Sequence, residues 1–217
     1  MRKIFLQWAL PVWMLVTVPG PGSSRGEYPP LPETVTSFGA ALIEDMLYVY
    51  GGHTGRAHQY YQEGQAKTLW RLNLAQPEAW KALGEGPGLQ GLALVADGGK
   101  LYRIGGFTAR NQQGEPSDLW SQADVASYDP AAERWDELPA LPEPRSSFDA
   151  AVLDGKIYVI GGMQAEGGPT TRVDIYDPVG RQWQQEPSLQ GQGMDGFGSS
   201  AFAAGDRLRS ERPCSSR

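Results

Sequence analysis

Both histidines of the chain, His53 and His58, fall in one polar stretch that also holds Arg56, Tyr60 and Tyr61. A guanidinium group grips a carboxylate through a two-pronged fork, and a tyrosine ring stacks on a sugar face while its hydroxyl hydrogen-bonds. The combination suits recognition of an acidic or carbohydrate ligand. Two histidines fall short of a metal site unless Glu63 supplies a third ligand, and no metal site is assigned. The bland alternative for the stretch is a solvated polar loop. Two further polar stretches extend the set, one with Arg110 and amide side chains and one ending at Arg172, with Arg145 nearby. The ligand-binding candidates are therefore His53, Arg56, His58, Tyr60, Tyr61, Arg110 and Arg172; no residue is given a catalytic role.

Several chemistries lack their residues. There is no G-x-S-x-G, no H-E-x-x-H, and no glycine loop that leads into a helix and so cradles phosphate, and no cofactor is expected. The single cysteine, Cys214, excludes an intramolecular disulfide, a cysteine-rich zinc site and copper-radical chemistry that needs a cross-linked cysteine. Residues 26–205 carry 12 basic and 23 acidic residues, a net −11. Such a body repels phosphate backbones, so nucleic acid is not an expected partner.

The polar stretches are positioned by a repeat. Leu47-Tyr48-Val49-Tyr50-Gly51-Gly52, Leu101-Tyr102-Arg103-Ile104-Gly105-Gly106 and Ile157-Tyr158-Val159-Ile160-Gly161-Gly162 share one pattern, their glycine pairs 54 and 56 residues apart. Each follows an apolar run and a short turn, Glu44-Asp45, Asp97-Gly98-Gly99 or Asp154-Gly155, which reads as a hairpin. After each polar stretch comes an aromatic strand, closed in two repeats by Asp129-Pro130 and Asp177-Pro178. Trp80, Trp135 and Trp183 then open a fourth short strand, with Tyr128 and Tyr176 each seven residues ahead of its tryptophan. The spacing predicts four strands per repeat, over about residues 37–83, 91–138 and 147–186, and no long helix.

This pattern resembles the kelch repeat. The resemblance covers about residues 31–205 and implies an all-β fold of β-propeller blades, one four-stranded sheet per repeat. Glycine at a strand end permits positive φ and close backbone approach, and large flat rings fill the wedges between twisted sheets. Gly51, Gly52, Gly105, Gly106, Gly161, Gly162, Tyr128, Tyr176, Trp80, Trp135 and Trp183 are read as scaffold. Leu31-Pro32-Glu33 repeats Leu141-Pro142-Glu143 at the same distance from Phe38 and Phe148, so it mimics the exit from a preceding blade. In kelch-type propellers the stretches after Gly-Gly surround one mouth of the axis, the default place for a ligand.

The two ends read differently. Met1-Arg2-Lys3, an apolar run from Ile4 to Val18 and then Gly, Pro and Ser have the order of a secretory signal, taken as residues 1–26. The run is shorter than the roughly 20 residues needed to span a bilayer, so no stable span is expected after signal removal. A retained anchor and a buried segment are the alternatives. A fourth repeat begins at Phe197 and reaches Gly205-Asp206, giving a partial blade over 197–206. Residues 207–217 are rich in Arg and Ser, and a disordered or aberrant tail is expected there, from a lost reading frame or a genuine short tail. An incomplete ring leaves open blade faces, which predicts self-association.

The functional expectation is an exported, secreted or periplasmic recognition module for a protein or glycan ligand. One alternative is a sugar-active enzyme resembling the exported kelch-type sialic-acid mutarotases; another is an inactive fragment of a longer kelch protein. A Glu near an Arg at the axis would favour the enzyme, and an axis lined by apolar and small residues the binder.

Overall fold

The computed structural model describes residues 28–56, 58–190, 200–204 and 207–211. The expected signal segment, the start of the fourth repeat before residue 200, and Cys214 lie outside them. The first sheet takes β1 (Gly39–Ile43), β2 (Met46–Tyr50), β3 (Thr68–Asn73) and β4 (Lys81–Glu85) in that spatial order. The second joins β5 (Ala93–Asp97), β6 (Lys100–Ile104), β9 (Val125–Asp129) and β10 (Arg134–Leu138), and carries a ribbon of β7 (Phe107–Ala109) and β8 (Leu119–Ser121). The third joins β12 (Asp149–Leu153), β13 (Lys156–Ile160), β15 (Val173–Asp177) and β16 (Gln182–Glu186), with a ribbon of β11 (Arg145–Ser146) and β14 (Met163–Gln164). All pairings are antiparallel, and the one helical element among the described residues is a single 3-10 turn, Gln62–Gly64. Each repeat thus forms one four-stranded antiparallel sheet, the blade that the resemblance implies.

The first strands β1, β5 and β12 lie side by side, as inner strands around an axis must, and β17 (Ser200–Ala204) follows β12. One apolar core fills each wedge between blades. Tyr48, Tyr50, Leu69, Leu92, Leu101 and Tyr128 form the first, and Tyr102, Ile104, Phe148, Ile157, Val159 and Tyr176 the second. Gly51 and Gly105 have φ of 71° and 52°, and a Cβ would stand 2.6 Å from the Leu89 carbonyl oxygen and 2.7 Å from that of Arg145. The double glycine therefore serves close backbone approach between neighbouring blades, at a φ that a side chain disfavours.

The outer turns repeat one device. Asn73, Asp129 and Asp177 each accept two backbone N–H groups from the turn that follows. For Asp129 and Asp177 these bonds hold the carboxyl below its usual range. Trp80 donates its indole N–H to the Pro29 carbonyl as Trp183 does to that of Pro139, each at 2.9 Å. The chain thus enters the first blade as it enters the third. Tyr128 packs on Trp135 with centroids 5.1 Å apart and Tyr176 on Trp183 at 5.0 Å, while Leu72 holds that place in the first blade.

The tail corrects an expectation. Arg207–Glu211 forms β18 and pairs with β17 from Ser200↔Glu211 to Ala204↔Arg207, the register that β12 and β13 use. Antiparallel ladders are made by backbone groups, so a strand of mostly polar side chains can still pair. The side chains set burial rather than pairing: Arg207 is exposed and Leu208 half-buried.

Candidate cleft at the Gly-Gly mouth

Beyond each glycine pair the chain makes one more bridge to its own lead-in segment: His53 to Thr36, Phe107 to Gln90, Met163 to Ser146. These extensions gather the three polar stretches at one mouth. Side-chain amides weld the first two together. Buried Gln65 receives the Ala109 N–H at 2.7 Å and the Thr108 hydroxyl at 3.1 Å, and donates to the Ala109 carbonyl at 3.2 Å. Asn111 donates to the Tyr60 carbonyl at 2.9 Å and accepts the Asp118 N–H at 3.0 Å. The second and third ribbons meet through the hydroxyls of Ser121 and Ser146, 3.0 Å apart.

Between those ribbons lies a cleft of about 490 Å³. Tyr60, Phe107 and Leu119 line its apolar side, and Met163 to Gly167 its other side. Ser121, Ser146 and Ser147 supply hydroxyls, with Gln164 and Glu166 beside them. A second cleft of about 380 Å³ lies on the far side of Tyr60, lined by His58, Tyr61, Asn111 and Glu115 among others. Tyr60 stands between the two, edge-on to His53 at 5.5 Å and to Phe107 at 5.4 Å.

The structure sorts the seven candidates. Tyr60 reaches both clefts, and His58 and Tyr61 the second. Arg56 is exposed but lines neither. Arg110 is exposed and lies over the Trp120 ring at 4.0 Å. His53 is 1% exposed, enclosed edge-on by Tyr60 and Tyr61, and its Nδ1 accepts the Gly55 N–H at 3.2 Å. Burial lowers its pKa, and no ring face is left for a ligand. Arg172 is committed as well: its Nε lies 2.7 Å from Asp174, and a terminal nitrogen 2.9 Å from Glu143. These bonds, that to Asp174 foremost, raise its pKa. His53 thus lies within the packing of its blade, and Arg172 is bonded to Asp174 and Glu143 rather than lining either cleft.

Asp174, unremarked in the sequence, is the hub of that packing. It is fully buried and pairs with Arg145, itself fully buried, as well as with Arg172. Burial works against the Arg145 charge and lowers its pKa, and the Asp174 carboxylate opposes the shift. The equivalent places hold Val35 and Trp70 in the first blade and Leu89 and Ala126 in the second. Ser146 and Ser147 were also illegible as cleft residues. They occupy the lead-in places of Thr36-Ser37 and Gln90-Gly91, and a serine there carries no signal of its own.

The inner strands bear on the choice between enzyme and binder. Ala40, Ala41, Leu42, Leu94, Val95, Ala96, Ala150, Ala151 and Val152 line the axial cleft, with Asp149 the one ionisable lining residue among the described residues. Its carboxylate accepts the N–H groups of Ala150 and Ala201.

Residues 144–190 match the model of the Kelch motif. The chain is 36% identical over 152 residues to an N-acetylneuraminate epimerase of Pasteurella multocida, covering 66% of this chain and 35% of that protein. It is 30% identical to Kelch-like protein 35 of Mus musculus, covering 74% of this chain and 25% of that protein. Beta-scruin of Limulus polyphemus matches at 26% identity over 71% of this chain and 16% of its own length. The chain thus spans about a third or less of these relatives. The solved structure of YjhT superposes with a TM-score of 0.69 at 17% identity, covering 88% of this chain and 69% of that one.

Proposed function

We propose that this chain, a member of the kelch-repeat β-propeller family, is a protein-interaction module that takes its partner into the cleft between the second and third blades. The observation that carries the reading is the composition of that cleft. Tyr60, Phe107 and Leu119 offer apolar surface, and hydroxyls and an amide offer directional bonds. That is the usual make-up of a recognition pocket. The small, apolar lining of the axis supports a binder over an enzyme. Export is part of the proposal and rests on the basic, apolar and small order of residues 1–24.

The test is selection of displayed random peptides on the full chain. Enriched binders should lose affinity at least about tenfold on Ala165→Trp, which fills the cleft from an exposed position, and on Tyr60→Ala. Failure to enrich any binder, or binders indifferent to both changes, refutes the reading. Amino-terminal sequencing of the mature chain tests export.

A second reading is favoured by one observation. Glu143 lies 2.9 Å from Arg172 and lines a smaller cleft with Gln164 and Glu166. A carboxylate held beside a cation suits proton transfer on a sugar, in line with the Pasteurella relative. Accelerated anomer exchange of N-acetylneuraminate, lost in Glu143→Gln, would establish that enzyme.

A further inference from the structure

We infer that the exposed edge of β8 accepts an extended partner segment as an added antiparallel strand, with an acidic side chain set between two apolar ones. The inference rests on the interaction-module reading and specifies how the partner is held. It starts from the direction of the backbone groups in the ribbon. Phe107 spends its N–H and carbonyl on Gln90, and Ala109 spends both of its own on the Gln65 amide. Those of Thr108 therefore face β8, where Trp120 is opposite, and the Arg110 N–H reaches the Asp118 carbonyl at 2.9 Å. Alternation along a strand then turns the N–H and carbonyl groups of Leu119 and Ser121 to the other edge. β8 pairs with β7 alone among the described strands, and Leu119 and Trp120 are 39% and 46% exposed. An exposed edge of this kind is a template for a further strand.

The two faces of the ribbon set the chemistry of that strand. Directly opposed residues share a face. Residues of an added strand opposite Leu119 and Ser121 therefore project with them and Phe107 into the 490 Å³ cleft, where apolar groups fit. The residue between them, opposite Trp120, projects onto the other face. There Arg110 lies over the Trp120 ring and makes no ion pair among the described residues. Asp118 is turned onto the indole N–H at the ring's edge, 2.7 Å away. The guanidinium is thus the group that an incoming side chain meets, and a carboxylate matches it.

The probe is fluorescein-labelled Thr-Val-Glu-Val-Thr amide, read by anisotropy on the full chain. Saturable binding is expected, weakened at least about tenfold by N-methylation of either valine amide and less than about twofold by N-methylation of the glutamate amide. Only the valine amides face β8 in the proposed register. Lysine in place of glutamate should weaken binding about tenfold. In Arg110→Ala the glutamate and glutamine peptides should bind alike. No saturable binding up to about 1 mM, or equal sensitivity to N-methylation at all three amides, overturns strand addition. Display-selected peptides blocked by Ala165→Trp but indifferent to alternate N-methylation would leave the interaction module standing while removing this mode of holding.

Discussion

The lead-in to the third blade and the ribbon of the second each present arginines near the mouth, and they use them in opposite ways. In the third blade Arg145 and Arg172 converge on buried Asp174, with Glu143 outside. In the second, Arg110 rests on an exposed indole with no carboxylate partner among the described residues. Buried charge must be paired, and each pairing removes an arginine from the surface. Of these arginines, the one without an ion pair among the described residues, Arg110, is the one left for binding.

The largest test of this contrast is Asp174→Ala. It strands two guanidinium groups and should destabilise the chain by about 3–5 kcal/mol in urea unfolding. Adding Arg145→Leu copies the Leu89 and Ala126 of the second blade and should restore most of that loss. If the double variant is as unstable as the single one, pairing is not what Asp174 contributes.

A third arginine sharpens the comparison. Arg103 is 7% exposed, its guanidinium 5.4 Å from the Tyr50 ring and 5.0 Å from the Trp135 ring, and it donates to the Tyr50 hydroxyl at 3.2 Å. Aromatic faces do here what a carboxylate does in the third blade. Trp135→Ala removes half of that cage and the contact with Tyr128, and should cost about 3 kcal/mol.

The same logic applies to His53. Its pKa is lowered by burial, with the Gln59 backbone opposing. The unfolded chain then binds the proton more readily than the folded one. The stabilising contribution is full above the ordinary value of 6.5 and is lost as the pH falls from there to the folded value. Urea titrations across pH 7 to about 5 should show a slope of that sign, absent in His53→Asn. An unchanged slope would assign it to other groups. The smallest effects belong to the free side chains: Arg110→Ala and Arg56→Ala should each shift stability by no more than about 0.5 kcal/mol. Of the two, only Arg110→Ala should alter peptide affinity.

The four-stranded repeats were legible because their signals are local. Apolar runs, turn residues, glycine pairs and spaced aromatics each act within a few residues. Asp129 and Asp177 announce their turns in the same way. Leu72 weakened the first repeat without hiding it, because Leu69 and the glycine pair carry the same information. β18 was misread because its side chains lack the apolar pattern, while hairpin pairing needs only a partner backbone.

The candidate site was legible as a place and much less as a set of side chains. The stretches after Gly-Gly do converge, and Tyr60 stands at their centre. The sequence could not rank His53 against His58, five residues apart in one loop, because burial of one and exposure of the other depend on Tyr60, Tyr61 and Gly64 closing around the first. Nor could it separate Arg172 from Arg110.

By itself, then, the sequence determined the composition of the four-stranded repeats and their order, since hydrophobic periodicity and backbone permission at glycine are written residue by residue. The tertiary structure alone decided which charges are spent and which are free. Ion pairs and cleft walls join residues such as Arg145 and Asp174, 29 positions apart, or Tyr60 and Gln164, from different blades. Their energy depends on distance and burial, and neither exists until the sheets have packed.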